Sequence, residues 1–332
     1  SGILNSVHTF ANDPERGLFI LIFLFILIFL SFFVFLFFYK KDTQNIKSFF
    51  WLSKETSILV NNWFMMYFLS VVLIGTTYPI FLEVILSEKI SVGPPFYNML
   101  IAPFLIPFLF AMAIGPKLKW IKSDIEGKFY LLLFLIISIV LSLLIVKNLD
   151  INFLLNTILL TAALYLFFIT LRDFVTKKFQ NLSQNLAHFS FSVLILSILL
   201  NNIFSSEVIT NLKINESYES EKLKISFESI EQEDKQNFKS IIGKFVIEEF
   251  DGDVETMKPE LRIYNQPNIV TSEADIKISI FHDKFMTMNY VQNQDYFNIR
   301  YQFKPFMIWI WISTIMLCVS GLLSFIRRKH EK

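Results

Sequence analysis

The sequence predicts a polytopic α-helical membrane protein: seven transmembrane helices, with a small extracytoplasmic β domain between the sixth and the seventh. Three observations predict it. Hydrophobic residues make up 54% of the 332 positions, and 39 of them are Phe, more apolar surface than a soluble chain of this length can hide in one core. Seven stretches carry essentially no charge over about 18 residues or more, close to the roughly 20 needed to cross a bilayer. One segment of about a hundred residues breaks this pattern with dense charge and short alternating runs.

The uncharged stretches are Gly17–Tyr39, Ser57–Leu82, Ile90–Pro116, Phe129–Val146, Ile151–Leu171, Phe179–Ser206 and Pro305–Ile326. They lack the polar face of a soluble helix, so buried soluble helices do not explain them. Lys and Arg alternate between the connections. The segment Lys40–Lys54 carries four, as does the connection holding Lys117, Lys119, Lys122 and Lys128, and that with Arg172, Lys177 and Lys178 carries three. The other connections carry only Arg16, Lys89 and Lys147, one each. The positive-inside rule then makes the rich connections and the tail from Arg327 cytoplasmic. The expected layout is 1–16 outside, 17–206 as a six-helix region, 207–304 as an outer domain, 305–326 as the last helix and 327–332 as a cytoplasmic tail.

The outer segment Glu207–Lys304 holds 12 basic and 18 acidic residues. Period-two alternation marks strands at Lys222–Phe227, Lys244–Phe250, Leu261–Tyr264, Lys277–Phe281, Phe285–Tyr290 and Tyr296–Phe303. Asp251-Gly252-Asp253 and Asn265-Gln266-Pro267 punctuate them as turns. The expectation is a sandwich-like or barrel-like β domain, not stapled by disulfides because it has no cysteine. The one cysteine, Cys318, lies in the last span and reads as a small buried hydrophobe. Gly93-Pro94-Pro95 reads as a tight outer turn beside Glu83, Glu88 and Lys89.

Chemistry-bearing residues are few. His188 lies inside an uncharged span, about 10 residues or 15 Å of helix beyond Lys178, where an ionisable group usually has a partner or a ligand. Haem axial ligand, proton relay and interhelical hydrogen bond are all open for it. His8, some nine residues before the first span, reads as interfacial or as an imidazole able to meet haem iron at the outer surface. His282 and His330 read as surface residues. Nucleotide-binding, zinc-hydrolase, serine-hydrolase and c-type haem attachment motifs are missing, and no basic aromatic surface points to nucleic acid. The spans carry too little charge for ion-coupled transport. An enzyme subunit, a permease with an outer domain and a non-catalytic scaffold remain as classes.

Several segments together resemble one family. They are Gly2-Ile3-Leu4-Asn5-Ser6-Val7-His8-Thr9-Phe10-Ala11 with Asp13-Pro14-Glu15-Arg16-Gly17, and Gly75-Thr76-Thr77-Tyr78-Pro79 with Glu88-Lys89-Ile90-Ser91-Val92-Gly93-Pro94-Pro95-Phe96-Tyr97-Asn98. Gly115-Pro116, Ala187-His188, Thr271-Ser272-Glu273-Ala274 and Phe303-Lys304-Pro305-Phe306 with Trp309-Ile310-Trp311 complete the set. From Ser1 to about Arg328 the chain resembles the carboxy-terminal half of CcmF, the haem lyase family of system I cytochrome c maturation.

The resemblance implies covalent attachment of haem to Cys-x-x-Cys-His motifs of apocytochrome c on the outer face of the membrane. It implies haem delivery by the chaperone CcmE and presentation of apocytochrome by a CcmH-type protein. His8 is similar to a histidine that ligates incoming haem, and His188 to a membrane histidine holding a resident haem b. The location implied is the bacterial inner membrane, with the mitochondrial inner membrane a possibility. Phe189-Ser190-Phe191 departs from the family in having Ser where Gly is expected. The tryptophan-rich WWD segment and the partner histidines are expected upstream of Ser1, so the chain is expected to be the later half of a larger enzyme.

Overall fold

The computed structural model describes residues 14–39, 50–86, 90, 92–121, 124–125, 127–147, 152–176, 182–220, 223–249, 252, 254–265, 269–291 and 295–330. Seven helices run through them: α1 Pro14–Phe38, α2 Lys54–Leu86, α3 Pro94–Ile114, α4 Lys128–Val146, α5 Phe153–Thr176, α6 Leu182–Phe204 and α7 Met307–His330. Among the described residues, α2 to α7 are long and apolar enough to cross a membrane. For α1 the corresponding apolar stretch is Phe25–Phe38. Its side chains there all face outward, as a helix apolar on every side does when lipid is its solvent. The chain divides into two compact units, Ser1–Tyr165 and Leu166–Lys332.

In the first unit, α2 and α3 pack through aromatic rings. Tyr67 lies tilted against Phe104, ring centres 4.1 Å apart, and its hydroxyl donates to the Leu100 carbonyl at 2.9 Å. Phe108 meets Phe64 and Phe68 edge-on, each at 5.6 Å. The sequence reading makes Gly93-Pro94-Pro95 a turn; instead Gly93 caps α3 and the prolines open it. The first helical turn has no intrahelical use for the amide hydrogens that proline lacks. Pro79, Pro103 and Pro107 lie inside helices, which neighbouring spans can tolerate. Past α3, Ile121 N–H donates to the Glu55 carboxylate at 3.1 Å and Lys119 pairs with Asp124 at 2.8 Å. The first bond fastens that connection to the start of α2, and the second closes the connection on itself. On the other side Ser142 of α4 hydrogen-bonds Thr161 of α5.

Two glycines permit the α2–α3 approach. A Cβ on Gly75 would lie 2.7 Å from the Tyr97 hydroxyl, and one on Gly115 would overlap Ser57 Oγ. Gly115→Ala is therefore expected to lower the stability of the purified protein by about 1–3 kcal/mol. Ser57→Gly in the same chain should restore most of the loss. A thermal melt in detergent that shows no drop for the single variant would refute this packing account.

In the second unit, α6 and α7 pack against each other and hold the β domain between them. Among the described residues ten strands form it: β1 Ser206–Leu212, β2 Ser217–Glu219, β3 Leu223–Asp234, β4 Phe238–Glu249, β5 Val254–Met257, β6 Glu260–Tyr264, β7 Ile269–Glu273, β8 Asp275–Ile278, β9 His282–Tyr290 and β10 Phe297–Pro305. One sheet has the order β1-β10-β9-β8, the other β2-β3-β4-β6-β7 with β5 beside β4. The chain steps from the edge of one sheet to the edge of the other at Ala274. Alternation drives this packing. Ile225 and Phe227, Phe245 and Ile247, Met286 and Met288, and Ile299 and Tyr301 all point into one core. Phe227 and Phe245 stack at 4.3 Å. The sandwich-like expectation holds. Strands β1, β2, β5 and β7 were not expected, and β8 ends at Ile278 rather than Phe281.

The domain meets the helices at a tight seam. β1 and β10 are paired neighbours, Ser206 opposite Phe303, so the chain leaves α6 and returns to α7 side by side. Asn201 Nδ2 donates to the Pro305 carbonyl at 2.6 Å. Phe306 takes a positive φ of 59°, a left-handed conformation that costs a non-glycine residue about 1–2 kcal/mol. It turns the strand sharply into α7. Cys318 differs from the expectation: it is exposed on α7, because that side of the helix faces away from the packed protein and toward lipid.

Candidate functional site

His188 sits on α6, six residues after Leu182, or about 9 Å along the helix axis. Its ring is half-buried and its Nδ1 is screened from solvent. Aromatic side chains bind α6 to the second half of α5 at this level. Phe189 stacks on Phe174 at 5.3 Å with planes 11° apart and leans on Phe167 at 5.9 Å. One turn away, Thr170 Oγ1 and Ser192 Oγ share a hydrogen bond of 2.8 Å.

Ser190, at the position where the family resemblance expects Gly, is 0% exposed. Its hydroxyl donates back to the Leu186 carbonyl at 2.6 Å. A small side chain that satisfies itself within its own helix preserves the close packing a glycine would give. The departure is therefore a conservative one.

Asp173 is a charged residue near the candidate site that the sequence reading did not single out. The sequence reading ends the fifth span at Leu171, before the first charge, but α5 continues to Thr176. Asp173 is buried, with Arg172 3.9 Å away. The Thr170–Ser192 and Phe174–Phe189 contacts fix an antiparallel register that sets Asp173 about level with His188. Its signal was the face it continues: Leu166, Ile169 and Thr170 are buried at helical spacing, and Asp173 is the next position on that stripe.

The other singled-out residues lie elsewhere. His8 falls outside the described residues, as do Glu88 and Lys89. His282 stacks on Phe303 at 5.1 Å where the β domain joins α7, so it is half-buried rather than a plain surface group. Among the described residues no group of three or more His, Cys, Asp or Glu side chains could hold a metal ion. A half-buried imidazole on an apolar helix, as His188 is, is a group of the kind that can ligate haem iron.

A second polar cluster closes the base of the sandwich. Lys284 on β9 follows the inward alternation of Met286 and Met288 and is 3% exposed. Its ammonium meets Glu249 of β4 at 2.8 Å and Glu255 of β5 at 3.1 Å. Burial works against that charge, but hydrogen bonds to Glu249 and Glu255 prevail and hold the Lys284 pKa above its ordinary value. Burial, followed by the charges of Glu249 and Glu255, pushes the Tyr301 phenol up as well. Lys284 thereby ties the two sheets together at the end nearest the helices.

The family model described as the CcmF C-terminal beta-sandwich matches residues 203–305, the span of β1 to β10. CcmF from Pseudomonas aeruginosa is 26% identical over 348 residues, covering 100% of this chain and 52% of the relative. CcmF from Escherichia coli K12 is 27% identical over 342 residues, covering 100% and 53%. Along its whole length the chain is similar to CcmF proteins. It matches the carboxy-terminal half of that family, and spans about half the length of the curated relatives it matches. CcmF of Pseudomonas fluorescens, at 29% identity over 347 residues, aligns over 100% of this chain and 52% of its own. A solved structure of a protein called cytochrome c heme lyase CcmF shares the fold, with a TM-score of 0.63 at 19% identity over 82% of this chain and 46% of the other. The relatives are named cytochrome c-type biogenesis proteins, and the apolar helices make this chain, like a CcmF, a multi-pass membrane protein.

Proposed function

We propose that this chain forms the carboxy-terminal half of a haem lyase that joins haem to Cys-x-x-Cys-His motifs of apocytochrome c on the outer face of the bacterial inner membrane. The observation that carries the reading is the alignment of the whole chain with CcmF proteins, together with a half-buried imidazole, His188, on an apolar helix long enough to span a membrane. The layout that fits is seven spans, α1 to α7, with the lysine-rich connections in the cytoplasm. The segment before α1 and the sandwich then share the outer face.

In this reading the substrate haem arrives on CcmE and is ligated by His8 near the outer surface. A CcmH-type protein brings the apocytochrome. Each thiol S–H adds across a vinyl C=C of the substrate: the sulfur–carbon bond forms, the thiol proton ends on the neighbouring vinyl carbon, and no group leaves. His188 holds a resident haem b within the membrane. When bound, that haem supplies electrons that keep the substrate iron reduced. The stacking of Phe189 on Phe174 and Phe167 holds α6 against α5 one residue from His188 and so fixes where the helix presents it.

The test is complementation of cells that lack their own lyase. The complete protein carrying this chain should restore haem-stained cytochrome c bands that survive denaturing electrophoresis. His8→Ala should reduce those bands to background and leave the spectrum of the resident haem intact. Undiminished bands in that variant would remove His8 from the reaction.

A further inference from the structure

The turn between β8 and β9 carries an apolar tip that nothing in the β domain covers. Ile278 is 69% exposed, and Ile280 and Phe281 are each 63% exposed. On a domain surrounded by water such a run is costly, and it marks a surface with a partner. Its position says which one. β9 runs antiparallel to β10, and His282 lies opposite Pro305, the last residue before the α7 junction. Residues 279–281 therefore project beyond that pair, in the direction in which β10 delivers the chain to the membrane helix. The Phe306 N–H donates to the Phe281 carbonyl at 2.7 Å, so the tip is bonded to the residue that precedes α7. Phe204 at the end of α6 and Trp311 near the start of α7 lie exposed at the same boundary, the level at which aromatic residues gather in membrane proteins.

Val254, 64% exposed, lies at the same end. It is held there by the pairing of β5 with the end of β4 and by the bridge from Glu255 to Lys284. Lys277 and Lys304 flank the tip with long side chains that can bury their stems and keep their charge among headgroups.

We propose that Ile278, Ile280 and Phe281 insert into the acyl boundary of the leaflet next to the β domain, making the β8–β9 turn a lipid-binding anchor. The sandwich is then held to the membrane at three points: the end of α6, the start of α7 and this turn. Two points alone would define an axis about which the domain can tilt. The third removes that freedom and sets the height of the whole outer face above the bilayer.

The test uses the complete protein in lipid nanodiscs, with Cys318→Ala and any other cysteine of the complete protein likewise replaced, and a single environment-sensitive fluorophore on Phe281→Cys. A matched protein carries the label on Ile269→Cys. That residue is also exposed, but it pairs with Tyr264, which pairs with Phe238, at the opposite end of β4, about 36 Å away along the strand. Phe281→Cys should emit blue-shifted light, and spin-labelled lipids should quench it at least about twofold more than the Ile269→Cys label. Aqueous iodide should show the reverse order. Equal behaviour of the two labels overturns the proposal. Protection of the Phe281→Cys label from both quenchers overturns it too, since the tip would then lie against protein rather than lipid.

Discussion

Replacing His188 with alanine is expected to remove the resident haem. The reduced-minus-oxidised spectrum of the purified complete protein should lose its b-type bands while the amount of protein in the membrane stays the same. A single turn of α6 loses only an imidazole. Phe189 remains stacked on Phe174 and Ser192 remains bonded to Thr170, so α5 and α6 stay packed. Loss of an outer-shell partner of a metal ligand already costs about 10–100-fold in affinity, and loss of the ligand itself should cost at least that. The space left is the size of the side chain removed, so added imidazole should refill it and bring back part of the band. Retention of full haem occupancy in His188→Ala would end the proposed role, and unfolding of the variant would be exposed by failure of imidazole to rescue it.

The second large effect concerns Lys284. Lys284→Met should destabilise the β domain by about 1–3 kcal/mol, because it leaves the partly exposed Glu249 and Glu255 without their counter-charge. The combined variant with Glu249→Gln and Glu255→Gln should regain most of that loss, since the whole cluster is then neutral. The readout is protease digestion of the domain in the intact protein as a function of urea. An unchanged midpoint for Lys284→Met would show that the bridge contributes nothing.

The same cluster sets an alkaline limit. Lys284 has a pKa raised above 10.5 in the folded state, and Tyr301 one raised above 10.0. For both, the contribution to stability is fully present below those ordinary values and fades as pH climbs through the higher folded values. Wild-type stability should therefore fall steeply above about pH 10, and Lys284→Met should flatten part of that fall.

The spans and the existence of the β domain were legible in the sequence because both are local signals. A helix in lipid must be apolar along a continuous stretch, and a strand on a core must alternate, as Leu223, Ile225 and Phe227 do. His188 stood out for the same reason, as one ionisable group in an uncharged run. Features that depend on distant residues were not legible. Lys284 reads as a solvated strand residue until Glu249 and Glu255, from other strands of the opposite sheet, are brought against it. β1 was missed because its alternation mixes Val208 and Leu212 with Glu207, Thr210 and Asn211, and only its pairing with β10 makes it a strand. Asp173 was hidden by the habit of ending a span at its first charge, although a helix continues for as long as its backbone bonds do. The Gly-Pro-Pro segment supports a turn and a helix start equally well, and only the chain beyond it decides.

The side-by-side departure and return of β1 and β10 also bears on how such a chain could be assembled or shortened. Ser206 and Phe303 stand one strand spacing apart, about 5 Å, so everything between them is topologically an insert. Cut there, the two stubs could be closed by a short loop without moving α6 or α7, and what remained would be an ordinary helical hairpin. A gene that gained or lost the sandwich at this seam would leave the membrane half, with His188 in it, in its original register.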